Sequence, residues 1–394
     1  MPFSLQENVR LEFEPKGMPF RRLGPSGLRV PLFSLGGWLT LGASVKGDSV
    51  KDIMRTAFEN GINMFDTAEA YADGKSEEEM GRVIKELGWR RTDIIVTTKI
   101  FWGVGRKDPN DGGLSRKHII EGTRESLARL QLDYVDVIFA HRSDPNVSME
   151  EGLSIRFANI ESQGFLATVV RAFNFVIEQG WALYWGTSEW NAVEIEEAHH
   201  VTTKLGLLAP IAEQCQHNMF TRERPEKEYA PLYQKYNYGT TTYSSLHFVD
   251  NDMQQYNDGI PPDSRFATES DTFFKNLGHQ LQEDKGKEMI RKIKALTVIA
   301  EKGRLVSELS TSVSALALAW VARHPNTSTV ILGASKPEQV VENLKAIEIV
   351  PKLTEEILEK IEAILDNKPA PPPTYGRSPL DPFGRNGLKA TEGL

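Results

Sequence analysis

Four residues carry the strongest chemical signal in this chain. Asp66 closes the apolar run Asn63-Met-Phe-Asp66, and Lys99 closes Ile95-Val-Thr-Thr-Lys99. Charged side chains are rarely buried unless they are paired, so two strands ending this way predict an ion pair where their ends meet. Such a pair could serve only as a structural bridge. Tyr71 gives it a chemical reading, because it follows Asp66 by five residues in Asp66-Thr-Ala-Glu-Ala-Tyr71. A loop of that length brings the phenol beside the lysine. A phenol next to an ammonium is expected to have its ionised form favoured and its pKa lowered. It then makes a proton donor for a carbonyl oxygen that receives a hydride. His141 follows Val137-Ile-Phe-Ala140. Alone it would read as a structural histidine; beside the other three it can donate a hydrogen bond to a substrate carbonyl. No metal site competes for it, since the remaining histidines, including His199 and His200, lack ligand spacing.

These residues need elements to hold them. Short β-rich runs cover Leu32–Gly36, Ile62–Asp66, Ile94–Lys99, Tyr134–His141, Ala182–Ser188, Pro210–Gln214, Thr240–Ser244 and Thr329–Gly333. Between them lie helical periodicities at Val50–Asn60, Ser76–Leu87, Lys117–Leu130, Ala192–Leu205, Glu226–Tyr236, Gly286–Lys302, Ser312–Arg323 and Lys336–Ala346. Ser115 reads as a helix start ahead of Ile119. Strands alternating with helices predict either a closed (β/α)8 TIM barrel or a doubly wound sheet. The barrel is favoured. Asp66, Lys99, His141, Ser188 and Gln214 all stand at or just past strand C-termini, the face on which barrels build their sites. No glycine fingerprint follows the first strand, and Gly103-Val-Gly105 has Asp108 where a third glycine belongs.

Composition sets the outer limits. The chain has 394 residues, 40% hydrophobic and 25% charged, as expected for a soluble globular protein. Its net charge of -8 argues against nucleic acid as a partner. No apolar run reaches the length of a membrane span, and Met1 to Gly17 lacks the apolar core of a signal peptide. Cys215 is the only cysteine, which fits a reducing, cytoplasmic setting. The expected organisation is an N-terminal extension over 1–19, one barrel domain over 20–368, and a Pro/Gly-rich tail over 369–394.

Several segments together resemble the aldo-keto reductases, nearest to the branch of potassium-channel beta subunits and their fungal and microbial relatives. They are Phe65-Asp-Thr-Ala-Glu-Ala-Tyr71, Thr97-Thr-Lys-Ile-Phe-Trp102, Gly113-Leu-Ser-Arg-Lys-His-Ile-Ile-Glu-Gly122 and Tyr184-Trp-Gly-Thr-Ser-Glu-Trp190. The resemblance spans about Gly17 to Pro369. It implies a catalytic tetrad on Asp66, Tyr71, Lys99 and His141, NADPH as cofactor, a small carbonyl substrate, and a homo-oligomer, a tetramer in that branch. The channel subunits of animals usually carry Asn where this chain has His141. For the cofactor, the resemblance assigns Ser188 and Gln214 to the nicotinamide amide and Tyr243 to stacking on the ring. It places Gly37, Trp38, Asp66, Ser244 and Leu246 alongside, and Arg265 near the phosphates. Gly333, Ser335, Lys336, Gln339, Glu342 and Asn343 match the segment that grips the 2′-phosphate and adenine. Independently, Ser335-Lys-Pro-Glu338 reads as an N-cap, a first-turn proline and a capping-box glutamate, with a lysine beside a helix N-terminus suited to an anion.

Two stretches depart from the resemblance. Residues 152–168 are inserted after Met149-Glu-Glu151, either as a lid over the mouth or as untranslated sequence retained in the chain. After Tyr243, the glycine-lysine loop expected to cross the pyrophosphate is replaced by Ser244-Ser-Leu-His-Phe-Val-Asp-Asn-Asp-Met-Gln-Gln255, which lacks glycine and adds Asp250 and Asp252. Backbone without glycine approaches phosphate less closely, and acids repel it. Three functions follow as expectations: an NADPH-dependent reductase of aldehydes or ketones, a channel-beta-like regulatory or redox-sensing subunit, and a barrel with weakened cofactor binding.

Overall fold

A computed structural model describes residues 12–106, 108–147, 168–246, 283–301 and 309–370. Most of the 152–168 insertion, the loop beyond Leu246 including Asp250 and Asp252, Arg265, and the tail from residue 371 lie outside these. Eight parallel strands close a barrel: β3 (Phe33–Gly36), β4 (Met64–Asp66), β5 (Ile95–Ile100), β6 (Val135–Ala140), β7 (Ala182–Ser188), β8 (Ala212–Gln216), β9 (Gly239–Tyr243) and β10 (Thr327–Leu332). β10 pairs with β3 to complete the ring. The (β/α)8 expectation is met. Every residue of β5 and β6 is buried, because helices cover the outside while side chains fill the inside.

The surrounding helices follow the expected periodicity, with ends shifted by local chemistry. α1 (Asp48–Glu59), α2 (Lys75–Leu87) and α3 (Arg116–Leu130) cover β3 to β5. Ser115 caps α3 as expected, its hydroxyl accepting from the His118 backbone N–H at 3.1 Å. α4 (Thr168–Glu178) and α5 (Ala192–Leu205) follow, and Asn191 and Glu194 form a full capping box on α5. The helix expected from Glu226 divides into a π turn at Arg224–Glu228 and α6 (Ala230–Tyr236). α7 (Asp284–Glu301), α8 (Val313–Arg323), α9 (Pro337–Leu344), α10 (Ala346–Ile349) and α11 (Glu355–Leu365) complete the ring.

One hairpin fixes which end of the barrel is open. β1 (Phe20–Arg22) and β2 (Arg29–Pro31) pair antiparallel outside the barrel sheet. Leu23 and Val30 pack with Met64, Ile95, Val137, Phe139, Ile211 and Ala212, plugging the N-terminal ends of the strands. Gly24, at φ +57°, lies so close that a Cβ would fall 1.9 Å from the Ile211 carbonyl oxygen, so only glycine allows this approach. The end of the expected N-terminal extension is docked as well. Phe13 packs edge-on against Phe20 at 6.3 Å and Phe58 at 5.2 Å. The hairpin covers the N-terminal end of the barrel, which leaves the C-terminal mouth as the end on which a site can be built.

Candidate active site

Asp66 and Lys99 meet under the mouth, both buried. Lys99 Nζ donates to Asp66 Oδ2 at 2.6 Å and to the Thr67 carbonyl at 2.7 Å. Thr97 Oγ1 donates to Asp66 Oδ1 at 2.6 Å, and Gln214 Nε2 donates to the same oxygen at 3.0 Å. Parallel pairing of β4 with β5 brings the two charges together, since Asp66 stands opposite Thr97. Gln214 lies within β8 rather than at its end. Pro210 has no N–H for the ladder, so β8 begins at Ala212 and runs on through Gln216. The carboxylate therefore has acceptor sites filled from three side chains. Burial lowers the Lys99 pKa, and Asp66 opposes that shift.

Tyr71 sits above this pair, with Lys99 Nζ 4.7 Å from its ring centroid. The chain turns sharply just after it, through left-handed Ala72 (φ 51°), Asp73 (φ 52°) and Gly74 (φ 85°). The expectation that Lys99 lowers the Tyr71 pKa is corrected. The ammonium is committed to Asp66 and Thr67, and burial, with the Asp66 charge, pushes the phenol well above its usual range. Only Arg142 pulls the other way. Tyr71 is thus held fully protonated at neutral pH.

The His141 ring meets the Tyr71 ring edge-on, with centroids 5.7 Å apart. Its Nδ1 is buried and, among the described residues, has no hydrogen-bond partner. Burial, then the charges of Lys99 and Arg142, hold its pKa well below 6.5, so the imidazole is neutral. A group that refuses a proton in the folded state stabilises fully above its unfolded pKa of about 6.5, and that stability is lost as pH falls below it. His199 and His324, each lowered to about 4 chiefly by burial, act in the same direction. Each such histidine contributes up to about 1.4 kcal/mol per pH unit. Urea midpoints at pH 7, 6 and 5 are expected to fall steadily, and less steeply in His141→Asn. A His141 ring-proton NMR titration centred near pH 6.5 would contradict this.

Two acids missed at the sequence level organise the mouth. Glu69 is buried, and its Oε1 accepts from the Phe101 and Gly103 N–H groups at 2.7 and 2.9 Å, with His118 Nε2 at 3.0 Å. It pins the loop carrying exposed Trp102. Both Glu69 and His118 lie inside the segments quoted above, so the signal was available. Glu189, left-handed at φ 57°, joins three strand ends. Its Oε1 accepts from Gln216 N at 2.7 Å and from the Tyr243 hydroxyl at 3.0 Å, while Oε2 pairs with Arg224 at 2.6 Å. Tyr243 is thereby fixed beside Trp38, edge-on at 6.3 Å. Gly37 donates its N–H to the Asp66 carbonyl at 2.8 Å, and a Cβ there would lie 2.4 Å from Ser76 Oγ. Ser188 stands opposite Gln214 in the β7–β8 register. Ser244 is left-handed at φ 51°, and Leu246 packs against the core.

The β10 end presents the remaining assigned residues. A Cβ on Gly333 would meet nothing within 4 Å. The capping box is corrected: Lys336, not Ser335, is the N-cap of α9, and Gln339 rather than Glu338 reaches back, its Oε1 accepting from Ser335 N at 2.7 Å and Ser335 Oγ at 3.1 Å. Pro337 at the first helical position sets that start. Lys336 is exposed and has no carboxylate partner among the described residues. Glu342 pairs with Lys345, and Asn343 is buried.

A closed parallel barrel with a buried Asp–Lys pair, a tyrosine and a neutral histidine at its C-terminal mouth is the frame of a barrel oxidoreductase. Residues 33–366 match the Aldo/keto reductase family, and the chain belongs to it. Three curated relatives are provisionally named voltage-gated potassium channel beta subunits. The protein from Schizosaccharomyces pombe is 50% identical over 358 residues, covering 91% of this chain and 96% of its own. Those from Arabidopsis thaliana and Oryza sativa subsp. japonica are each 44% identical, covering 91% of this chain and 100% of theirs. Among the described residues, no helix is long and apolar enough to cross a membrane.

Proposed function

We propose that this protein reduces aldehydes or ketones to alcohols with NADPH, using Tyr71 as proton donor. The observation that carries this reading is the Asp66–Lys99 pair held beneath a protonated Tyr71 and beside a neutral His141. The residues fit the cofactor. Gly333 leaves open space at the end of β10, and Lys336 is an uncompensated cation, among the described residues, at a helix N-terminus. Ser188 and Gln214 would hold the nicotinamide amide, Tyr243 would support the ring, and Lys336 would meet the 2′-phosphate. When bound, the cofactor would supply the hydride that the carbonyl carbon receives. His141 holds the carbonyl oxygen by donating from its neutral ring. Tyr71 gives its hydroxyl proton to the developing alkoxide, a far stronger base than phenolate. The phenolate left behind faces the charge of Arg142 and that of Lys99, the latter offset by Asp66, until it takes a proton from water. Asp66 fixes Lys99 so that its ammonium stays under the ring.

The test is NADPH consumption with a panel of aldehydes and ketones. Turnover that requires both NADPH and a carbonyl compound is expected; no consumption with any member refutes the reading. The names of the relatives support a second reading, a cofactor-binding subunit of a membrane channel. His141 favours turnover, because it supplies a donor to a carbonyl. NADPH is expected to bind more tightly than NADH, and Lys336→Ala to erode that preference through lost charge-assisted hydrogen bonds. Fluorescence titrations with both cofactors measure it, and equal affinities for the intact protein would refute it.

A further inference from the structure

The mouth contains one charge that the mechanism leaves unbalanced. Arg142 directly follows His141 at the end of β6, so its Cα lies about 3.8 Å from that of the carbonyl-orienting residue. Its Nη1 donates to the His141 carbonyl and, at 3.4 Å, to Ser188 Oγ. A guanidinium has five N–H donors. Among the described residues, the other nitrogens of Arg142 have no protein acceptor, and no carboxylate lies within ion-pair distance. Arg91, Arg129, Arg222 and Arg224 by contrast each hold an acid. The acid nearest in sequence to Ser188, Glu189, is taken by Arg224, Tyr243 and the Gln216 N–H. Asp66 and Lys99 cancel each other. Among the described residues the mouth therefore holds a guanidinium with no carboxylate partner, its free planar fork at the edge.

We infer that Arg142 binds a carboxylate on the substrate, so that the protein selects carbonyl compounds bearing an anionic group a few bonds from the reacting carbon. A free guanidinium edge matches a carboxylate by two parallel hydrogen bonds, and its low hydration suits a half-buried position. The influence of Arg142 reaches the reacting groups as well: its charge acts on Tyr71, His141 and Tyr243. An anion drawn to it therefore docks against the residues that handle the carbonyl oxygen. The inference rests on the reductase reading above.

The experiment compares 4-oxobutanoate and 4-formylbenzoate, each against its neutral methyl ester, with NADPH and the full chain. Wild-type protein is expected to favour an acid over its ester by at least about tenfold in kcat/KM, or about 1.4 kcal/mol, mainly through KM. The acid-to-ester ratio is read within each variant, which cancels any shared loss of folding or cofactor binding. It is expected to fall to about one in Arg142→Met and to be partly kept in Arg142→Lys. A wild-type ratio near one for both pairs overturns the inference while leaving the reductase reading intact. A ratio that persists in Arg142→Met overturns it too, since the anion is then held elsewhere. Failure to reduce any of the four compounds, or any member of the broader panel, removes the reductase reading and this inference with it.

Discussion

Tyr71→Phe is expected to lower carbonyl reduction by about 10²–10⁴-fold, the usual cost of losing a positioned acid. NADPH binding is expected to stay within about threefold, because the groups proposed for the cofactor lie on β7 to β10 and α9. The substitution removes one oxygen and keeps the ring that lies over Lys99 Nζ at 4.7 Å and meets His141 edge-on. The fold and the packing of the pair should therefore persist. Single-turnover reduction at saturating cofactor separates the chemical step from binding, and fluorescence titration measures the cofactor. A variant within threefold of wild type would move the acid elsewhere, with His141 the next donor at the mouth. The pH profile adds a second reading. Burial and Asp66 raise the Tyr71 pKa, so reduction should show no loss of a phenolic proton across the neutral range.

The direction of that shift could not be read from the chain. Tyr71 and Lys99 stand close in the fold, and proximity alone predicts a lowered pKa. The structure gives the lysine two closer acceptors and removes water from the phenol, and desolvation outweighs a charge that is already paired. Other features were legible because they rest on local rules. Strand ends at Asp66 and Lys99 appear as polar residues closing apolar runs, and Ser115 as a cap. The hairpin β1–β2 was not seen. Its strands have three residues each, and its stability comes from packing under the barrel rather than from its own pattern. Ser335 was misread as a cap because Glu338 suited the box by spacing, while Pro337 starts the helix one residue later and Gln339 makes the contact. The part Glu189 plays is not legible in the chain. Its role depends on bringing together the ends of β7, β8 and β9, which only the closed barrel does.

The buried pair can be tested as structure and as chemistry in one cycle. Asp66→Asn keeps the shape but leaves Lys99, fully buried, without its counter-charge. Breaking a buried pair from one side costs about 3–5 kcal/mol, because the remaining charge has no compensation. Lys99→Met leaves Asp66 with Thr97 and Gln214 still donating to Oδ1, so its penalty should be smaller. Removing both charges takes away the reason for either penalty. The double variant is therefore expected to be more stable than Asp66→Asn alone, with a coupling of about 1–3 kcal/mol by urea denaturation. Activity is expected to follow a different rule. Lys99→Met and the double variant lack the ammonium beneath Tyr71, so a phenolate formed there loses a neighbouring positive charge that Asp66→Asn retains. The double variant should thus recover stability without recovering turnover. Strictly additive stabilities would mean that the two side chains do not depend on each other. A double variant that folds and also reduces aldehydes within threefold of wild type would leave the pair as a structural bridge alone, with Tyr71 needing no cation beneath it.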